Sequence, residues 1–202
     1  MPTSTMTMPP SPAVHVPDRT ADLTAATRAA TELLAALGVP ATTEGTRRTP
    51  ERMAQALLEL LTPQPFDMTT FPAEGYRQMV LVRSIPFTSV CEHHMLAFHG
   101  TACLAYIPGE RMLGLSKLAR VVELFARRPQ VQERMTQQIA DFLQDHLAPE
   151  GVGAIVRAEH TCMTLRGAQA VGSATVTSAL HGRLLNDARA RDEFIALTGV
   201  RA

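Results

Sequence analysis

Two short segments, far apart in the chain, each bring a thiol next to an imidazole. Residues 91–94 read Cys-Glu-His-His, and residues 160–162 read His-Thr-Cys. Thiolate and imidazole are the ligands that zinc prefers, and three protein ligands with one open position are typical of a catalytic zinc site. The spacing therefore predicts that Cys91, His94 and Cys162 bind one Zn²⁺ ion.

The two remaining histidines, His93 and His160, suit proton transfer because an unperturbed imidazole has a pKa of about 6.5. Because His93 and His94 are adjacent, the opposite assignment is also open, with His93 as the ligand and His94 as the free base. If both bound the metal, the site would be a closed structural Cys2His2 site without catalysis. A disulfide between Cys91 and Cys162 is a further alternative.

Cationic residues elsewhere indicate an anionic ligand. Lys117 and Arg120 lie one turn apart at the start of a predicted helix that Ser116 caps, and backbone amides at a helix start also favour anions. Lys117 is the only lysine, whereas every other basic residue is an arginine. Arg166 follows the second zinc segment. Together these residues predict a polyphosphate ligand, with solvated surface charge as the alternative.

The composition limits the class of protein. A chain of 202 residues with 46% apolar side chains and zero formal net charge is long enough for a core and carries no basic surplus for nucleic acid. Three cysteines favour a reducing compartment, and Cys103 in an apolar run is expected in the core. No apolar run is long enough to span a membrane. Residues 1–17 are predicted to be a disordered leader without the features of a signal peptide, so the expected location is the cytoplasm.

The apolar periodicity predicts an α+β fold. Helical spacing covers residues 18–37, 50–61, 117–128, 130–147 and 186–197, and alternation indicates strands at 78–87, 100–107, 153–165 and 173–180. The order favours a four-stranded antiparallel sheet with two helices between the strand pairs and helices on one face. Alternation in the third strand would put His160, Cys162 and Arg166 on one face. Open strand edges in such a sheet favour oligomerisation.

Several motifs together resemble the GTP cyclohydrolase I family over about residues 18–197. The matching segments are Thr49-Pro50-Glu51-Arg52, Ser89-Val90-Cys91-Glu92-His93-His94, Ala105-Tyr106-Ile107-Pro108, Gly114-Leu115-Ser116-Lys117-Leu118-Ala119-Arg120, Arg128-Pro129-Gln130-Val131-Gln132-Glu133-Arg134, His160-Thr161-Cys162 and Arg166-Gly167. The resemblance implies the tunnelling fold and zinc-dependent conversion of GTP into 7,8-dihydroneopterin triphosphate and formate, the first step of folate and pterin biosynthesis. Water activated by zinc attacks C8 of the guanine, and the ring closes again after an Amadori rearrangement.

The resemblance also implies a role for each matched residue. Cys91, His94 and Cys162 are the zinc ligands, and His160 acts near N7 with help from His93. Substrate contacts fall to Gln132 and Glu133 at the guanine edge, to Ser116, Lys117, Arg120 and Arg166 at the triphosphate, and to Arg52 of a neighbouring subunit. From residues alone, an exposed helical position is the commoner role for a residue such as Glu133.

At the level of the assembly, the resemblance implies a decamer of two pentamers with active sites between subunits. It divides the chain into the leader at 1–17, an N-terminal helical segment at 18–75 and a tunnelling-fold catalytic domain at 76–202. Thr161, Thr164 and His181 depart from the residues common in the family. These departures leave open a paralogue that supplies a deazapurine or another specialised pathway.

Overall fold

The computed structural model describes residues 21–199, so the predicted leader at 1–17 lies outside the described residues. The described chain has the expected α+β organisation. Its helices are α1 Leu23–Ala36, α2 Thr49–Leu61, α3 Leu115–Ala126, α4 Gln132–Leu147, α5 Thr161–Thr164, α6 Gly182–Asn186 and α7 Ala188–Thr198. Its strands are β1 Thr70–Pro72, β2 Val80–Cys91, β3 Ala97–Ile107, β4 Arg111–Leu113, β5 Pro129–Gln130, β6 Gly151–His160 and β7 Thr175–His181.

The main sheet has the order β5-β2-β3-β6-β7. The four long strands pair antiparallel, as predicted, and α3 and α4 connect β3 to β6. The sequence patterns miss β5, a two-residue strand that pairs parallel to the end of β2, and the small β1–β4 sheet. Strands of two or three residues are too short to show a period, which is why alternation does not reveal them.

Strand β3 separates two hydrophobic clusters by its alternation. Ala102, Leu104 and Tyr106 face the larger cluster, which α3 and α4 cover. Cys103, Ala105 and Ile107 face the opposite side and contact a smaller cluster that includes Leu184, Ala190 and Phe194 of α6 and α7. The prediction that Cys103 is a core residue is confirmed, but helices cover parts of both sheet faces, not one face alone.

The helix starts differ from the predictions at three places. Helix α1 begins at Leu23 because the Asp22 side chain accepts a hydrogen bond from Ala25 N–H (2.9 Å) and so caps the helix. Helix α2 begins at Thr49, one residue before the predicted start, and in α3 the predicted cap Ser116 is already inside the helix; neither helix has a side-chain cap. No helix within residues 21–199 is long and apolar enough to cross a membrane.

The prediction of one strand over 153–165 is wrong at its end. Strand β6 stops at His160, whose partner in the ladder is Phe98 near the start of β3. Beyond that pair, Thr161 donates a side-chain hydrogen bond to Ala97 O (2.6 Å), and the chain turns into α5. Cys162 therefore lies on a helical turn and not on the face that strand alternation would give it.

Candidate active site

The first zinc segment forms the tight connection between β2 and β3. Cys91 N–H donates to Leu96 O (2.8 Å), and Met95 N–H donates back to Cys91 O (2.8 Å). Met95 has a φ of 53°, a left-handed conformation that lets the chain reverse here. These bonds hold Cys91 at the strand end while His93 and His94 are displayed from an exposed turn.

The second segment meets the first because β6 pairs with β3. The His160 ring stacks on the buried Phe98 ring with centroids 4.5 Å apart and an angle of 4° between the planes. Cys162 follows on α5, on the side of the Cys91 turn. The predicted meeting of the two segments is therefore confirmed, although a helical turn and not strand alternation brings Cys162 there.

Cys91, His94 and Cys162 form a group that could hold a metal ion, since one ligand atom from each lies within 4.8 Å of the others. The Cys91 Sγ atom is 4.0 Å from His94 Nδ1 and 3.9 Å from His93 Nδ1. Proximity to Cys91 alone does not distinguish the histidines, but His94 also approaches Cys162, and His93 is not in the group. The geometry favours three ligands over a closed site with four.

The electrostatics of the thiol pair also favour a cation. Burial raises the pKa of the Cys162 thiol, and the neighbouring Cys91 thiol raises it further, while Arg166 acts in the opposite direction. Two adjacent thiols resist ionising together unless a positive charge lies between them. A bound metal ion would supply that charge and hold both as thiolates.

A cavity of about 240 Å³ opens on this group. It brings together seven of the residues predicted from the sequence, with four further lining residues. The predicted ones are Cys91, His93, His94, Gln132, Glu133, His160 and Cys162, and the others are Gln130, Val131, Met163 and Thr175. Glu133 is exposed at the start of α4, where its carboxylate is free to accept hydrogen bonds from a ligand.

His160 is held by Gln132 from α4. His160 Nε2 lies 2.8 Å from Gln132 Oε1, and the Gln132 side chain is buried with a residue exposure of 1%. Burial lowers the pKa of His160, and the nearby Glu133 carboxylate opposes this shift. The amide group of Gln132 is thus engaged inside the protein, and its implied place at the guanine edge stays a prediction.

An ion pair between Glu92 and Arg134 holds the turn that follows Cys91, and no sequence pattern predicts it. Arg134 of α4 forms a close bidentate pair with Glu92 and also donates to Gln130 Oε1 (3.1 Å). Glu92 N–H donates to Gln130 O (3.1 Å), and the Arg134 hydrogen bond lowers the pKa of the Glu92 carboxyl group. Glu92 and Arg134 both lie in the quoted motifs, but their contact joins elements 42 residues apart.

Of the predicted phosphate-binding residues, Arg166 lies near Cys162, where it opposes the rise in the pKa of that thiol, whereas those on α3 lie elsewhere. Ser116 and Arg120 line a second cavity of about 410 Å³ between α3 and β2, and this cavity shares no lining residue with the first. Arg120 donates to Glu123 Oε2 (2.9 Å). Lys117 is half-buried on the same helix start, and Arg52 and Arg166 are exposed. Within one chain, the thiol–imidazole cavity is therefore separate from Lys117 and Arg120, the α3 cations.

Comparisons with known proteins agree on one family. The family model described as GTP cyclohydrolase I matches residues 26–199. Proteins named GTP cyclohydrolase 1 from Aquifex aeolicus and Hydrogenobaculum sp. are 52% and 47% identical, covering 76% and 81% of this chain and 84% and 91% of their own chains. The one from Deinococcus radiodurans is 44% identical over 96% of this chain and 91% of its own.

Among solved structures, the archaeosine synthase QueF-Like in the apo form aligns with a TM-score of 0.41 and 17% identity over 52% of this chain and 93% of that one. The family assignment does not depend on it. The family model alone matches most of the sequence, and the three relatives cover between 76% and 96% of it. The chain belongs to the GTP cyclohydrolase I family.

Proposed function

We propose that this chain binds zinc and converts GTP into 7,8-dihydroneopterin triphosphate and formate, the first step of folate and pterin biosynthesis. The observation that carries the proposal is the cavity in which the Cys91–His94–Cys162 group lies beside His93, His160 and Glu133. In a member of the GTP cyclohydrolase I family, this cavity combines metal ligands, proton donors and a base-recognising carboxylate.

The donor set fits zinc. Two thiols and one imidazole are soft to borderline ligands, and ligand atoms around a tetrahedral zinc lie about 3.5–3.8 Å apart for Zn–S and Zn–N bonds of about 2.3 and 2.0 Å. The three donor atoms here lie within 4.8 Å, so small side-chain rotations bring them to that spacing. When bound, zinc supplies a hydroxide nucleophile at neutral pH by lowering the pKa of water to about 7.

The residues of the chain bind the base and move the protons. The Glu133 carboxylate accepts hydrogen bonds from N1–H and the 2-amino group of guanine and so orients the ring in the cavity. Release of C8 as formate breaks its bonds to both N7 and N9 and consumes two molecules of water. His160 supplies the proton that N7 takes up, and His93 assists. Phe98 holds the plane of the His160 ring by stacking, which fixes the direction of that transfer.

We further propose that the triphosphate is held by Ser116, Lys117, Arg120 and Arg166 and by Arg52 of a neighbouring subunit, in a homo-oligomer built as a decamer of two pentamers. The separation of the α3 cations from the metal-binding cavity supports a site completed by a second copy. The edge of β7 and the uncovered part of β2 beside β5 offer backbone groups for pairing between subunits.

The experiment is to incubate the zinc-loaded, assembled protein with GTP and to measure formate together with the fluorescence of the oxidised pterin product. We expect both products in equal amounts, loss of both after chelation, and recovery when zinc is added back. Absence of formate and pterin from protein with one zinc per chain and intact assembly would refute the proposal.

A further inference from the structure

The side-chain amide of Gln132 can adopt only one orientation. Its Nε2 lies 3.1 Å from each of Val156 O, Thr175 O and Thr177 Oγ1. Two of these partners are backbone carbonyl oxygens, which only accept hydrogen bonds, so the atom facing them must be the NH2 group. The carbonyl oxygen Oε1 therefore faces His160 and can only accept.

The same hydrogen bonds continue to the helix backbone. The Gln132 NH2 group has two hydrogens for three acceptors, so Thr177 shares one of them with a backbone carbonyl. Thr136 Oγ1 lies 2.8 Å from the backbone carbonyl oxygen of Gln132 and 2.7 Å from Thr177 Oγ1. Because a backbone carbonyl oxygen cannot donate, Thr136 donates its one hydroxyl proton to that oxygen. Thr136 therefore accepts a hydrogen bond from the Thr177 hydroxyl. Thr177 in turn accepts from Gln132 Nε2. The chain of donors thus runs in one direction, from His160 through Gln132, Thr177 and Thr136 to a backbone carbonyl.

This direction determines which nitrogen of His160 carries the proton. The 2.8 Å contact from Nε2 to Gln132 Oε1 requires a hydrogen on Nε2. The neutral ring then has its lone pair on Nδ1. A ring turned by 180° would place Cε1 against Gln132 Oε1 and lose this hydrogen bond, while stacking on Phe98 restrains the ring plane. Nδ1 is the ring nitrogen through which His160 can take up a proton and then give it to a ligand in the cavity.

We propose that Gln132, Thr177 and Thr136 are positioning residues that hold His160 as the Nε2–H tautomer and make Nδ1 the atom that exchanges the proton with the substrate. This inference rests on the proposed function for its catalytic consequence, but the tautomer itself is a property of the free protein. It gives the Gln132 side chain a role through His160 in place of a direct contact with guanine.

The direct test is solid-state NMR of the zinc-loaded, assembled protein with ¹⁵N-labelled histidine, without nucleotide and at a pH at which His160 is neutral. The His160 signals are identified by their loss in His160→Asn. We expect a protonated, pyrrole-type Nε2 and an unprotonated, pyridine-type Nδ1. The reverse pattern would overturn the inference, whether or not the protein turns over GTP.

Kinetics of three variants separate positioning from substrate binding. Gln132→Met removes the acceptor at similar volume and should lower kcat by about 10²-fold or more with KM for GTP little changed, whereas Gln132→Glu keeps an acceptor and should retain more of kcat. Thr177→Val, a nearly isosteric change, should lower kcat about fivefold. The matched control is Thr101→Val at an exposed position of β3.

These kinetic tests require that the wild-type protein releases formate from GTP. Each outcome then decides whether Gln132 and Thr177 position His160. A fall in kcat for Gln132→Met and Thr177→Val, with recovery in Thr177→Ser, supports the proposal. A rise in KM for GTP at unchanged kcat in Gln132→Met would return Gln132 to substrate binding and overturn it. Equal kcat values for Thr177→Val, Thr101→Val and wild type would likewise exclude Thr177 from the positioning chain.

Discussion

His160 and Cys162 lie two positions apart, yet their surroundings give them different tasks. His160 ends β6 and contacts Gln132 and Phe98, so its ring is fixed but is not part of the metal-binding group. Cys162 lies on the helical turn that follows and approaches Cys91 and His94. At the scale of single residues, Cys162 would therefore bind the metal and His160 would move protons.

A pair of variants tests that separation. We expect Cys162→Ser to lose most of its zinc and with it all turnover, because a hydroxyl is a poor replacement for a thiolate ligand. His160→Ala should keep one zinc per chain while kcat falls by about 10²–10⁴-fold, the range for a lost acid–base group. Zinc is measured by mass spectrometry of the purified oligomer. Loss of zinc in His160→Ala would show that the roles are misassigned.

Glu133 provides a second residue-scale prediction. Replacing its carboxylate in Glu133→Gln removes one acceptor and places an NH2 group against the donors of guanine, so kcat/KM for GTP should fall about 10- to 200-fold. Inosine triphosphate, which lacks the 2-amino group, serves as the comparison: the preference for GTP over it should shrink in the variant. Glu193→Gln, at an exposed position of α7, is the control. An unchanged preference would argue against this role.

At the scale of elements, the site depends on contacts between segments that are distant in the chain, and no pattern within either segment predicts these contacts. Periodicity correctly indicated the four long strands and α3 and α4, since these elements bury one regular face. It failed at 153–165, because only the lack of a ladder partner beyond Phe98 shows where β6 must end. The Arg134–Glu92 pair and the Gln132–Thr177 contact were likewise beyond sequence reasoning, because each depends on how α4 lies against the sheet.

The brace between α4 and the Cys91 turn should matter for metal affinity. Arg134→Gln releases Glu92 from its ion pair and allows the turn to move. We therefore expect the dissociation constant for zinc to rise about 10-fold, the smallest effect typical of replacing a residue that supports metal ligands. Competition with a chromogenic chelator measures it. Arg48→Gln breaks a comparable exposed pair with Glu51 on α2 and should leave zinc affinity unchanged. Equal affinities for both variants would mean that the brace does not position the turn.

At the scale of the whole molecule, one chain holds two separate parts of the proposed site. The metal-binding cavity lies at the ends of β2 and β6, and the α3 cations line a different cavity. Apolar side chains on α1 and after it are exposed, such as Leu33 at 47% and Leu37 at 67%, and in the proposed oligomer they would offer further surface for contact between copies. The division into a helical segment at 18–75 and a catalytic domain at 76–202 stays a prediction.

If each active site combines residues of two subunits, two inactive variants that are damaged in different parts of the site should complement each other. Cys162→Ser and Lys117→Ala, co-expressed with different tags and purified through both, should form mixed oligomers in which about a quarter of the sites combine two intact parts from different subunits. Activity should rise well above that of either variant alone. Co-expression of Cys162→Ser with His160→Ala, which damages the same part twice, is the control and should give no recovery. Failure of the first pair to recover would mean that each site lies within one chain.

The most direct test of the central claim follows the carbon that the reaction removes. Assembled protein with one zinc per chain is given GTP labelled with ¹³C at C8, and the products are read by ¹³C NMR and mass spectrometry. We predict one molecule of labelled formate for each molecule of 7,8-dihydroneopterin triphosphate, and a pterin without label. Labelled carbon retained in the nucleotide product, or no labelled formate at all, would contradict the account.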